Sequence, residues 1–225
     1  MNWSTPPPEL RARVLEAARR EPVRARPAGE RRRAGIIALG FLVSGALGVV
    51  AGRLDRGERP LGYIAALVAA WLMLAAAATW AGVGRGRSML GRSAAWRISA
   101  AVLTPAAMLT TWLALALAWP ETLQNAFGER PHTLCAVATL FFATGPLVAF
   151  AVVRRGSDPV TPRLTGAAIG AAAGAWGAVA VQMFCSFTAP VHIVLGHVLP
   201  VALLSAAGVI LGDRVLAVRA RAPTN

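Results

Sequence analysis

The chain has 225 residues, 56% of them hydrophobic and only 15% charged, and its 23 basic side chains against ten acids leave a net charge of +13. A soluble domain carries about 25% charged residues, so this balance excludes an ordinary soluble globule and a disordered chain, while two cysteines exclude a disulfide scaffold. What remains is an integral membrane protein whose basic residues, all arginine, mostly flank apolar runs and so set topology rather than bind nucleic acid directly.

Residues 1–33 form a polar leader without the short apolar core of a secretory signal. Three prolines, Pro6 to Pro8, and then Glu9 favour a helix start. Leu10, Val14, Leu15 and Ala18 fall on one stripe at helical spacing. Glu9 with Arg13 and Glu16 with Arg20 are i,i+4 pairs in the favourable orientation, and Pro22 ends the segment. So short an amphipathic helix is marginal alone and needs a surface, either anionic lipid or a groove on a protein. A protein groove is the preferred reading, with Leu10, Arg11, Val14, Leu15 and Ala18 as the partner-binding stripe. Residues 23–33, rich in Pro and Arg, read as an extended linker.

Six apolar runs follow, at 34–52, 61–83, 98–119, 134–153, 164–184 and 193–211, with a tail at 214–225. Each has the length a helix needs to cross a hydrocarbon core of about 30 Å. The first carries Gly40, Ser44, Gly48 and Gly52, the fifth Gly166, Gly170, Gly174 and Gly177. Small residues at this spacing let helix backbones approach closely, and packing within the chain is preferred over a dimer face. Pro105, Pro146 and Pro200 lie inside runs and should kink them. Counted over alternate loops, nineteen arginines lie on the side of both termini and four on the other. The predicted fold is therefore an all-α, six-span bundle with a short cytoplasmic N-terminal amphipathic helix and both termini cytoplasmic.

Every acid and every arginine lies in a loop, a terminal segment or a span end, and Gln182 and His197 are the only strongly polar residues at depth. An ion-coupled carrier normally keeps ionisable groups inside its spans, so that class is disfavoured. No nucleophile–base pair or phosphate-cradling glycine loop is legible, and the chain does not read as an enzyme.

The two cysteines and three histidines gather at the outer ends of the last three spans. His132 and Cys135 open the fourth, Cys185 follows the fifth, and His192 and His197 come next, with Pro200 shortly after. Three readings compete: a Cys135–Cys185 disulfide, a soft or borderline metal ion held by thiolates and imidazoles, and plain packing of small apolar cysteines. Five residues separate His192 from His197, so on one regular helix their rings do not stack. They can still face a common point if His192 precedes the helix.

This arrangement resembles the NrsF-like membrane anti-sigma factors, negative regulators of ECF sigma factors, and the similar multi-span anti-sigma factor that controls light-induced carotenoid synthesis. The resemblance rests on the leader with its start Pro-Pro-Glu-Leu-Arg-Ala-Arg-Val-Leu, on the six spans, on Cys135 and Cys185 at their positions, and on the closing stretch Cys185-Ser-Phe-Thr-Ala-Pro-Val-His192-Ile-Val-Leu-Gly-His197-Val-Leu-Pro200 followed by Gly208 and Gly212. It covers residues 8–216. Members often carry acids between that cysteine and the first histidine, and here residues 186–191 hold none. The resemblance implies a protein of the bacterial inner membrane that holds an ECF-type sigma factor and releases it on an outer or intramembrane signal, with Cys135 and Cys185 as the sensing pair. Two other classes stay open on the residues alone: a small-molecule or metal transporter, and an assembly subunit of a membrane complex.

Overall fold

The computed structural model describes residues 26–51, 59–84, 93–124, 132–155, 157 and 160–217, together with single positions at Glu9, Ala12 and Glu16. The leader stripe Leu10, Arg11, Val14, Leu15 and Ala18 lies outside the described residues. The chain divides into two compact units, residues 1–35 and 36–225.

Among the described residues the fold is helical throughout, with no strand. In chain order the elements are α1 (Arg26–Ala51), α2 (Leu61–Val83), α3 (Ala94–Ala118), the single turn α4 (Glu121–Gln124), α5 (His132–Arg154), α6 (Pro162–Gln182), the short α7 (Pro190–Ile193), a π-turn (Val194–Val198) and α8 (Leu199–Val215). Among the described residues five helices are long and apolar enough to cross a membrane: α2, α3, α5, α6 and the continuous run Pro190–Val215. Several boundaries depart from the sequence expectation. The helix of the first run starts at Arg26 rather than 34, so residues 26–33, expected to be an extended linker, are helical, because Arg, Glu and Ala are good helix formers. The third run starts at Ala94 rather than 98, which brings Arg97 inside the helix, buried, with its guanidinium on the hydroxyl of Thr161. The last run starts at Pro190, so both His192 and His197 are helical.

The second unit is organised around α6, in which sixteen of 21 residues are buried. Its sequence explains the position. Nearly every residue from Gly166 to Ala180 is Gly or Ala, so neighbours can close on all sides. A side chain at Gly166 would strike the backbone of Gly208, one at Gly170 the carbonyl of Leu204, and one at Gly174 the Cα of Val201, all on α8. Gly177 meets Thr139 and Ala143 of α5 in the same way. The glycine faces thus serve packing within the chain. Gly40 and Ser44 of α1 do so too, lying against Gly145, with Ser44 Oγ donating to the carbonyl of Phe142 at 3.0 Å.

Larger side chains fill the remaining space. Tyr63, Leu67 and Trp71 of α2 and Met108 and Trp112 of α3 pack on Ala171, Ala175 and Ala178 of α6 and on Ile193 and Val201. Trp71 Nε1 donates to the carbonyl of Met108 at 3.1 Å, and Trp176 Nε1 to Thr79 Oγ1 at 2.9 Å. On the other side Phe41 stands edge-on to Trp176, with ring centroids 4.6 Å apart, and also meets Phe150. Leu103, Leu117, Val137, Leu203 and Ile210 remain exposed around the bundle, as lipid-facing side chains should.

Candidate functional site

Cys135 lies in the first turn of α5, one helical turn before the fully buried Thr139. Cys185 follows the end of α6, where its N–H bonds to the carbonyl of Val181 at 2.8 Å. Pro190 starts α7, a favoured position for proline, and sets His192 in the first turn. His197 sits in the π-turn beyond it. The fold thus gathers at one end of the bundle residues drawn from three parts of the chain.

The donor atoms of Cys135, Cys185, His192 and His197 all lie within 4.8 Å of one another. The two cysteines are not joined in a disulfide, and Cys135 Sγ donates to Cys185 Sγ across 3.8 Å. Cys185 Sγ is 3.1 Å from His192 Nε2. The rings of His192 and His197 have centroids 5.5 Å apart, and His197 is tilted against Trp71 at 5.9 Å. Cys185, His192 and His197 are 5%, 2% and 0% exposed. Of the five residues expected from sequence to gather, His132 takes a different place. It stands behind His192, Nδ1 to Nδ1 at 3.4 Å, outside the four-donor group.

The electrostatics follow from this packing. Cys185 lies between two spans, and its thiol is held well below the ordinary thiol range. The first cause is the hydrogen bond from Cys135, and the imidazoles of His192 and His197 add to it against the opposing effect of burial. A thiol held toward its thiolate form, beside a second sulfur and two imidazoles, makes a strong ligand set.

Two sulfurs and two imidazole nitrogens suit a tetrahedral, borderline-soft ion such as zinc. Sulfurs bound at about 2.3 Å at the tetrahedral angle stand about 3.8 Å apart, which is the separation found here. Both ring nitrogens of His197 are buried without a hydrogen-bond partner. Burying such atoms unsatisfied costs about 1–3 kcal/mol, and a metal bond would satisfy one of them. The residues present therefore fit a metal. His192 would bind through Nε2 and direct Nδ1 at His132, the outer-shell arrangement that usually steadies a ligating histidine.

The π-turn was not legible as such in the sequence. The sequence spacing of five between His192 and His197 is incompatible with one face of an α-helix, yet both are helical and their rings are adjacent. The widened turn resolves that conflict. Gly196 and Pro200 were its available signals: a side chain on Gly196 would press on Cys135 Cβ at 3.1 Å, and Pro200 has no N–H. Gln182, at the end of α6, is fully buried with both amide atoms unpartnered.

At the other end of α8, Arg163 Nε pairs with Asp213 Oδ2 at 2.5 Å on an exposed surface, and Arg97 and Arg154 are buried near their helix ends.

No curated protein and no solved structure matches the chain. A family model described as NrsF, negative regulator of sigma F, matches residues 17–217. That match takes in every described helix from α1 to α8 and all four donors of the buried group. The chain belongs to the NrsF family of negative regulators of sigma F.

Proposed function

We propose that this protein is an inner-membrane anti-sigma factor that holds an ECF-type sigma factor at its cytoplasmic face and releases it when the Cys/His group captures a signal. The family supplies a negative regulator of a sigma factor, hence a sigma factor as partner and a regulatory role rather than a catalytic one. The single observation that carries the sensing half is the convergence of Cys135, Cys185, His192 and His197 within 4.8 Å. In this reading α1 supplies a sixth crossing, both termini are cytoplasmic, and the Cys/His group faces outward, as the arginine distribution favours. The lipid bilayer is then the second partner, and DNA is met only through the sigma factor.

The signal is a soft or borderline metal ion. Cys135 and Cys185 supply two thiolates, His192 and His197 two nitrogens, and His132 steadies His192. The metal would supply a further bond linking α5, the loop after α6 and the last helical run, beside the hydrogen bond from Thr139 to Gly196. The leader, with Leu10, Arg11, Val14, Leu15 and Ala18 as its apolar and basic stripe, is the proposed grip on the sigma factor.

Co-purification tests the regulatory half. The tagged protein is co-expressed with its sigma factor, solubilised in mild detergent, and the eluate examined for both, with and without residues 1–33. Co-elution that is lost on truncation is expected. Co-elution that survives truncation moves the grip to the cytoplasmic loops. A soluble, well-expressed sigma factor that never co-elutes contradicts the proposal.

A further inference from the structure

The π-turn has a cause in three residues. In an α-helix the carbonyl of residue 196 accepts from the N–H of residue 200. Residue 200 is proline and has none. The backbone widens instead: the N–H of Leu199 bonds to the carbonyl of Val194, five residues back. The stranded carbonyl of Gly196 is taken by Thr139 Oγ1 of α5, at 2.9 Å. Gly196 keeps this approach open, because a Cβ there would lie 3.1 Å from Cys135 Cβ, tighter than ordinary contact, and 3.5 Å from His192 Nε2.

The consequence falls on the two histidines. Residues five apart on an α-helix point about 140° away from each other, with Cα atoms about 8.7 Å apart. Here their rings are 5.5 Å apart and their donors join those of both cysteines. We propose that Thr139, Gly196 and Pro200 are positioning residues, which hold a π register that turns His192 and His197 to one face beside Cys135 and Cys185. Cys135 and Thr139 are one turn apart on α5, so the helix that supplies one donor also fixes the register of two others. As a statement about ligands this rests on the metal reading above. As a statement about the backbone it stands without it.

The experiment has an arm for each. In the first, His192→Cys and His197→Cys are combined in a Cys135→Ser/Cys185→Ser background and treated with a mild oxidant. A disulfide does not span Cα atoms more than about 7 Å apart, so an α register resists the cross-link and the π register permits it. The pair should cross-link with Pro200 and Thr139 present, and at least tenfold more slowly with Pro200→Ala or Thr139→Val. Thr139→Ser, which keeps the hydroxyl, should restore the rate. Equal rates in all four proteins would overturn the proposal. In the second arm the natural Cys/His protein, solubilised intact, is titrated with Co²⁺ and the thiolate-to-metal band recorded. Thr139→Val should weaken Co²⁺ binding at least tenfold and Thr139→Ser should recover it. Unchanged binding in Thr139→Val counts against the positioning role. Absence of a band in the unsubstituted protein removes the metal reading, and the cross-linking rates still decide the turn.

Discussion

Cys185 owes its surroundings to residues that come from elsewhere in the chain. Its sulfur accepts from Cys135, fifty residues earlier, and lies against His192, seven residues later. Neither contact is visible in a spacing rule, because no standard zinc motif has these intervals. The residue types were legible, and so was their collection at one end, since all five fall at the same side of alternating spans. What the sequence could not give is the division of labour: four donors in one group, with His132 behind His192. That division makes a prediction. In a Co²⁺ titration of the solubilised protein, Cys185→Ser and His197→Ala should abolish saturable binding in the micromolar range, whereas His132→Ala should weaken it only about 10–100-fold, as loss of an outer-shell partner does. Equal losses for His132→Ala and His197→Ala would place His132 among the ligands. By contrast, the exposed Arg163–Asp213 pair, whose side chains are 70% and 41% accessible, carries little energy, because exposed ion pairs contribute about 0–1 kcal/mol.

At the scale of elements, hydropathy located the helices well because a span has few ways to satisfy its backbone. The run at 61–83 coincides with α2 at both ends. The ends that moved did so where a polar residue or a proline borders the apolar run. Arg97 reads as a loop residue by charge, yet a hydroxyl from Thr161 lets it enter the helix buried. Pro190 starts the last helical run earlier than its apolar stretch begins. Packing was legible in part. Glycines four apart announced close approach, but not that α6 is enclosed while α3 and α5 keep lipid-facing sides. Enclosure is a property of all the neighbours together, and a single helix cannot encode it. The enclosed helix should therefore be the sensitive one. Gly170→Leu drives a side chain into the carbonyl of Leu204. Overpacking of this kind costs about 1–3 kcal/mol, and backbone contact puts it at or beyond the upper end. Thermal unfolding in mild detergent should show a clearly lowered midpoint or no cooperative transition. Leu203→Ala, at a site 53% exposed, should leave the midpoint nearly unchanged. Similar midpoints for the two variants would mean that α6 is not the packing centre.

For the whole molecule, the proposed function requires sensing and regulation to be coupled through the bundle. The last helical run provides a continuous element: it carries His192 and His197 at one end and Asp213 at the other. Its α8 portion, seventeen residues, is about 26 Å long, and Gly208 and Gly212 hold it against the start of α6. If a helix clamped in this way moves as a body, a bond formed at the Cys/His end biases the far end. The size of the bias is set by differential affinity. Reversing a 99:1 occupancy needs about 5.5 kcal/mol, or a ligand that binds the releasing state about 10⁴-fold more tightly. A metal bound by two thiolates and two imidazoles has affinity to spare for that difference, as structural zinc sites contribute about 10–16 kcal/mol.

The most direct measurement is metal-driven release from the assembled complex. The protein and its sigma factor would be reconstituted in lipid vesicles and titrated with Zn²⁺, and the sigma factor remaining with the membrane pellet quantified, in parallel with a Cys135→Ser/Cys185→Ser variant that still inserts. A saturable loss of at least tenfold in bound sigma factor is expected for the natural protein and no loss for the variant. Retention of the sigma factor in both at saturating Zn²⁺, or equal release from both, would contradict the claim that the Cys/His group governs the grip.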